Sequence, residues 1–427
     1  MGQKTGVRYR LALATLPEGN DMRSMSLALA LALLSAPGFA QSPNANPAPA
    51  VQAADPVAVL AGRLELDSYK ATIKSLTDFG DRRQGTKRNR KAVAWIEAQL
   101  KSYGCSNVER LHYKYQAPPP SRPHSDTAMV PVIAYGEVRS GVGGSRYRGI
   151  TKATGVNTDP NRQPDEKLRT LDHEPATDGS RDDVYCTKIG TTHPEEMYIV
   201  GAHLDGHGWG EAANDDGSGA ALVLELARVF NMPDVKTGRS IRFVLWNNEE
   251  TGLNGSTAYV EQRAGLQGQE LPKGSGKYPE PRWLAMIQHD MMLWDHGMPR
   301  ADGSWNPEQR PEADINIEFQ STSKFADAAM KLGFFFRDAN EKYATDYPAA
   351  VGPHMTNTDS TPFMDLVPAL SLRENERGMQ TGAGWNPTWH QPMDVYSMFS
   401  DKDFRLGLNA AQTTLGAVGQ LAGATLK

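Results

Sequence analysis

Strands and helices that alternate through the second half of the chain predict an α/β sandwich with a largely parallel sheet. Apolar runs of strand length recur there: EEMYIVGAHL, SIRFVLWNN and RWLAMIQHDMM. Between them lie stretches with helical spacing, such as GSGAALVLELARVFN and GSTAYVEQRAG. A third observation concerns placement. Histidine and acidic residues collect where those strands end, and open α/β sheets gather ligands at the carboxyl ends of their strands.

In chain order, the segment from Met22, MRSMSLALALALLSAPGFAQS, comes first. It has a basic start, an apolar stretch over Leu27–Leu34, and the small residues Gly38 and Ala40. That is the layout of a secretory signal peptide cleaved after Ala40. A buried helix or a membrane anchor is the competing reading, but the apolar run is too short for a bilayer of about 30 Å. Residues 1–21 sit oddly before such a leader, which makes Met22 or Met25 the expected start. The protein is therefore expected to be periplasmic or secreted, with no stable membrane insertion after cleavage. Residues 41–57, rich in Pro, Ala and Asn, read as a tether ahead of one domain over 58–427.

VAVLAGRLELDSYKATIKSLTDFGDR has helical periodicity, and RKAVAWIEAQLKSYG is a stronger amphipathic helix that stops on Gly104. SNVERLHYKY follows as a strand. Residues 116–182 are rich in Pro, Gly, Arg and Asp and read as an insertion, with VPVIAYGEV and YRGI as short strands within it. The alternating pattern then begins. INIEFQ, a helix at SKFADAAMKLG, LVPALSLRE and a last helix at DFRLGLNAAQTTLGAVGQLAG complete it. In an oxidising compartment Cys105 and Cys186 are expected to pair, against the plainer reading of two separate buried thiols.

At 427 residues, 39% hydrophobic, 22% charged and with a net charge of −5, the composition is that of a soluble globular protein. It offers no electrostatic argument for nucleic acid. The chemistry lies in particular residues. His203 and Asp205 are two apart at a strand end, so in extended geometry both face one side. His203 then reads as a metal ligand and Asp205 as the carboxylate that orients its ring; a core histidine is the plain alternative. Asp215 heads DDGSG before a helix, where capping could explain one aspartate but hardly two, so Asp215 reads as a bridging ligand and Asp216 as structural.

Glu249 and Glu250 follow an apolar strand. One can bind metal while its neighbour takes a proton from water; a solvated acidic pair is the alternative. Asp290 lies in MIQHDMMLW, where a charge is costly unless it is paired or bound to metal. His289 beside it should face the other way. His390 stands between Pro387 and Pro392, with Asp394 four residues on. Imidazoles and carboxylates without thiolates are the ligands of a zinc site that keeps water. Two ions about 3.5–4 Å apart form a hydrolytic centre.

GAHLD, ANDDGSG, NNEETGLNGS and the His390 region resemble the two-zinc exopeptidases that include bacterial leucyl aminopeptidases and glutamate carboxypeptidase. The likeness runs from about Leu66 to the C-terminus, outside the insertion. It implies a three-layer sandwich with a mixed, mostly parallel sheet and helices on both faces. It implies one zinc on Asp215, Glu250 and His390, and a second on His203, Asp215 and Asp290. Glu249 becomes the general base, Asp205 the carboxylate behind His203, and the Asp215–Asp216 peptide is expected to be cis. The implied reaction is removal of N-terminal residues from peptides by a hydroxide shared between the zinc ions. A carboxypeptidase is the nearest alternative, for which Arg373 could grip a free carboxylate. A one-zinc glutaminyl cyclase and an inactive binding protein are weaker, because every ligand and the base are present. Two departures stand out. Gln391–Pro392 follow His390 where the family has His-Thr, and Met355 falls near the place of a tyrosine, leaving Tyr347, His354 or the zinc ions as substitutes.

Overall fold

Asp55 opens the first helix, α1 (Pro56–Ala61), by accepting the Val57 N–H at 3.0 Å, and Pro56 occupies a position where no N–H is needed. The structure is a computed structural model that describes residues 54–117, 157, 159–297, 302, 304, 306–353, 358–374 and 386–427. The expected leader, most of the tether, the strands VPVIAYGEV and YRGI, and His354 and Met355 lie outside these residues. Helical periodicity that reads as continuous from Val57 breaks at Gly62–Glu65, and α2 (Leu66–Thr77) starts afresh, burying Tyr69, Ile73 and Leu76. Thr86 caps α3 (Lys87–Ser102) through the Asn89 N–H at 3.1 Å. Its buried face is Val93, Ile96 and Leu100, spaced three and four apart.

The remaining elements follow in order: β1 (Glu109–Tyr115), α4 (Glu166–Asp172), β2 (Gly179–Lys188), β3 (His193–His203), α5 (Gly217–Phe230) and the two-residue β4 (Val235–Lys236). Then come β5 (Arg239–Trp246), α6 (Asn254–Arg263), β6 (Arg282–His289), β7 (Ile315–Phe319), α7 (Ala326–Tyr343) and β8 (Ala349–Pro353). The chain closes with β9 (Ala369–Arg373), α8 (Asp401–Ala422) and β10 (Thr425–Leu426). β2 starts inside the stretch that reads as an insertion, and β8 forms where the sequence shows no strand pattern. Eight strands form one sheet in the order β1-β2-β5-β3-β6-β9-β7-β8. β5, β3, β6 and β9 run parallel at its centre; β1, β2 and β7 join through antiparallel pairs.

Both faces of the central strands are apolar, which explains their unbroken hydrophobic runs. On β5, Ile241, Phe243 and Leu245 enter the core shared with α2, α3, α5, α7 and α8. Val244 and Trp246 point the other way, toward Tyr259 of α6, Trp283 and Phe363. Helices thus cover both faces in three layers. Cys105, in the turn after α3, is disulfide-bonded to Cys186 of β2 across 81 positions, with Cα atoms 6.2 Å apart. Among the described residues no helix is long and apolar enough to cross a membrane.

The topology places four parallel strand ends side by side. β3 ends on His203, β5 runs out into Asn247–Glu250, β6 into Asp290, and β9 into Arg373–Glu374.

Candidate metal centre

The seven residues singled out in the sequence come from five separate segments and meet at that edge. Asp215 sits in the centre. Its Oδ1 is 3.2 Å from His203 Nε2, and its Oδ2 is 3.1 Å from His390 Nε2. Glu250 Oε2 closes one side at 2.9 Å from His390 Nε2, and Asp290 Oδ1 the other at 3.8 Å from His203 Nε2. These groups, with Glu249, line a cleft of about 400 Å³ together with Gly252, Leu253, Met291, Arg373 and Trp389. The Asp215–Asp216 peptide is cis.

The two aspartates have different surroundings. Asp216 spends its carboxylate on the main chain: Oδ1 accepts the Gly219 and Met291 N–H groups, and Oδ2 accepts that of His203. It caps α5 and fastens β3 to β6. Donor atoms of His203, Asp215 and Glu250 lie within 4.8 Å of one another, and so do those of His203, Asp216 and Asp290. Because the oxygens of Asp216 are engaged by three N–H donors, Asp215 is the aspartate with oxygens facing the imidazoles.

Asp205 differs from the expectation. His203 Nδ1 meets the main-chain carbonyl of Asp205 at 2.9 Å, while the nearer carboxylate oxygen is 3.9 Å away. β3 ends at His203, so the same-side rule for extended residues two apart no longer holds at Asp205. Its Oδ1 instead accepts the Glu249 N–H at 3.0 Å, tying the end of β3 to the acidic pair after β5. His289 turns away as expected, bonding Gly201 O and Thr414 Oγ1. Tyr347 is not at the cleft; its hydroxyl donates to the Lys402 carbonyl. The His207 ring lies 5.5 Å from that of His390 without lining the cleft.

Charge accumulates here. Burial would raise Asp215, but His203 and His390 outweigh it and hold the carboxyl at about 2. Burial likewise opposes the low value of Asp290, which Arg373 and His203 impose. Glu250 is pushed up to about 7 by burial despite His390, and Glu249 rises well above its usual range through burial and the neighbouring Glu250 charge. Burial disfavours charge on both imidazoles, yet the surrounding carboxylates raise their affinity for a proton well above normal. The same excess negative charge would favour a dication in place of those protons.

A further layer of acids was not legible in the sequence. Asp394 accepts the Asn214 and Asp215 N–H groups, one on each oxygen, and burial raises it to about 7. Glu374 accepts from Asn214 Nδ2, Asn386 Nδ2 and the Trp294 N–H, and burial raises it to about 8. Asp359 accepts from Ser256 Oγ at 2.5 Å and is raised by burial to about 7. The faint signals are the place of Asp394 four residues after His390 and that of Glu374 directly after an apolar strand, as with Asp290.

The sequence pattern of Peptidase family M28 matches residues 184–411, more than half of the chain and all seven of these residues. The chain belongs to that family. It is 42% identical over 69 residues to aminopeptidase YwaD of Bacillus subtilis, a stretch covering 16% of this chain and 14% of that protein. It is 37% identical over 73 residues to carboxypeptidase Q of Xenopus laevis, covering 17% and 16% respectively. The chain therefore matches only a small part of the length of these curated relatives. Among solved structures, a zinc aminopeptidase from Bacillus subtilis superimposes with a TM-score of 0.56 at 18% identity, over 84% of this chain and 95% of that one. A glutaminyl cyclase from Porphyromonas gingivalis does so with 0.52 at 16% identity, over 84% and 99%. These likenesses establish the shared fold.

Proposed function

We propose that the chain is an exported exopeptidase with two zinc ions that removes N-terminal residues from peptides. The observation that carries this reading is the position of Asp215, one oxygen toward His203 and the other toward His390. Asp290 would complete one ligand set and Glu250 the other. The donors suit zinc in kind, being imidazole nitrogens and carboxylate oxygens. Glu250 Oε1 is buried with no protein hydrogen-bond partner among the described residues, as expected of an atom held for a cation. When bound, zinc supplies Lewis-acid chemistry, polarising a carbonyl and acidifying water.

Glu249 is the base in this reading. Its raised proton affinity suits it to take a proton from the water that attacks the scissile carbonyl carbon. It returns that proton to the leaving amine nitrogen as the carbon–nitrogen bond breaks. Asp205 fixes the main chain of the base by accepting its N–H. Export is supported by the Cys105–Cys186 disulfide, since such bonds persist in oxidising compartments.

A carboxypeptidase needs a cation free to hold a terminal carboxylate. Arg373 is the one arginine or lysine among the described residues lining the cleft. Its Nη2 is 2.7 Å from Asp290 Oδ2 and its Nε 3.7 Å from Glu318 Oε2, so its charge is already engaged. That favours the aminopeptidase. Purified protein should hydrolyse unblocked amino-acid anilides and spare N-blocked peptides with free C-termini. The opposite preference would establish the carboxypeptidase, and inertness toward both would remove the exopeptidase reading.

A further inference from the structure

His390 is held differently from His203. A metal-binding imidazole is usually oriented by a hydrogen bond to its second nitrogen. His203 has such a bond, to the Asp205 carbonyl. His390 Nδ1 has no protein hydrogen-bond partner among the described residues, and its backbone is left-handed at φ 52. Apart from the Asp215 and Glu250 carboxylates at Nε2, its ring is placed by stacking against Trp389, with centroids 4.1 Å apart, and by whatever grips the main chain around it.

That grip comes from residues of the stretch that reads as an insertion. The Asn157 N–H donates to the His390 carbonyl at 3.0 Å, and Asn157 Nδ2 donates to the Gly208 carbonyl at 3.3 Å. Gln163 Nε2 donates to two carbonyls at once, Trp209 at 2.7 Å and Pro392 at 2.8 Å. Its Oε1 accepts the Asp165 N–H at 3.0 Å, so the amide has one consistent orientation. Asp165 in turn caps α4 through the Leu168 N–H at 2.9 Å. Gln163 is 1% exposed and Asn157 5%, so these are buried amides whose loss would leave carbonyls unpaired.

We propose that Gln163, supported by Asn157, is a positioning residue that locks the His390 loop to the loop after β3 and so sets the affinity of the zinc on the His390 side. This rests on the two-zinc reading above. Calorimetric titration of metal-free protein with zinc tests it, using wild type, Gln163→Ala, the nearly isosteric Gln163→Met, and Asn157→Ala. Both Gln163 variants should keep the wild-type circular dichroism and still bind the first ion normally. The second ion should bind more weakly, on the order of 10-fold, as for other groups that orient a metal ligand. Turnover at limiting zinc should fall with KM little changed, and excess zinc should restore it, which a merely structural defect would not allow. Asn157→Ala keeps the main-chain bond and should show a smaller shift of the same kind. Two wild-type zinc affinities in folded Gln163→Met would overturn the proposal. Wild-type protein that takes up no zinc would bring down the two-zinc reading instead.

Discussion

Glu249 and Glu250 are adjacent in sequence but face different groups. Glu250 Oε2 lies 2.9 Å from His390, whereas the main chain of Glu249 is held by Asp205 and its carboxylate lines the cleft. Their substitutions should therefore fail in different ways. Glu249→Gln should keep zinc and fold while turnover drops on the order of 10²–10⁴-fold, the usual worth of a placed proton-transfer group. Glu250→Gln should lower zinc content, because a neutral amide is a poor zinc ligand. Metal analysis beside steady-state kinetics separates the two, and zinc loss in the Glu249 variant alone would reverse the assignment. The acidic pair was legible because it ends an apolar strand. The work of Asp205 was not: its spacing from His203 suggests a carboxylate against the ring, yet the chain leaves β3 at His203 and the carbonyl takes that place. The roles of Asp394 and Glu374 were equally hidden, since most of their partners are N–H groups and amides far away in the chain.

At the scale of elements, the strand ends bring ligands together and two loops hold them. The loop after β3 passes so close to the His390 loop that a Cβ on Gly208 would stand 2.2 Å from the His390 carbonyl carbon. The backbone there has φ +89, which a side chain rarely adopts. Gly208→Ala should cost about 1–3 kcal/mol in denaturant unfolding, the usual penalty for overpacking, and should also lower zinc uptake. Unchanged stability and metal content would show that the two loops are not locked together. The order and kind of the central elements could be read from their apolar runs. The break between α1 and α2, the start of β2 and the existence of β8 could not, because tertiary packing decides them. The grip of Asn157 and Gln163 on the His390 loop was also invisible, being made by amides in a stretch with no periodicity.

Across the whole molecule, the disulfide joins the turn after α3 to β2 over 81 positions, on the side of the sheet away from β7 and β8. Closing so long a loop restricts the unfolded chain, and removing it should cost about 2–4 kcal/mol. Equilibrium unfolding of the Cys105→Ser, Cys186→Ser protein measures this, and an unchanged midpoint would make the bond incidental. Asp215 is expected to serve two metal positions from one carboxylate. Zinc equivalents per chain should be measured for wild type, Glu250→Gln and Asp215→Asn after equilibration at the same free zinc. Two in the wild type, about one in Glu250→Gln and fewer than one in a folded Asp215→Asn protein is the expected result, since zinc takes carboxylates and unprotonated imidazoles while a carboxamide is a poor ligand. A wild type that holds a single zinc, or an Asp215→Asn protein that still holds two, would contradict it.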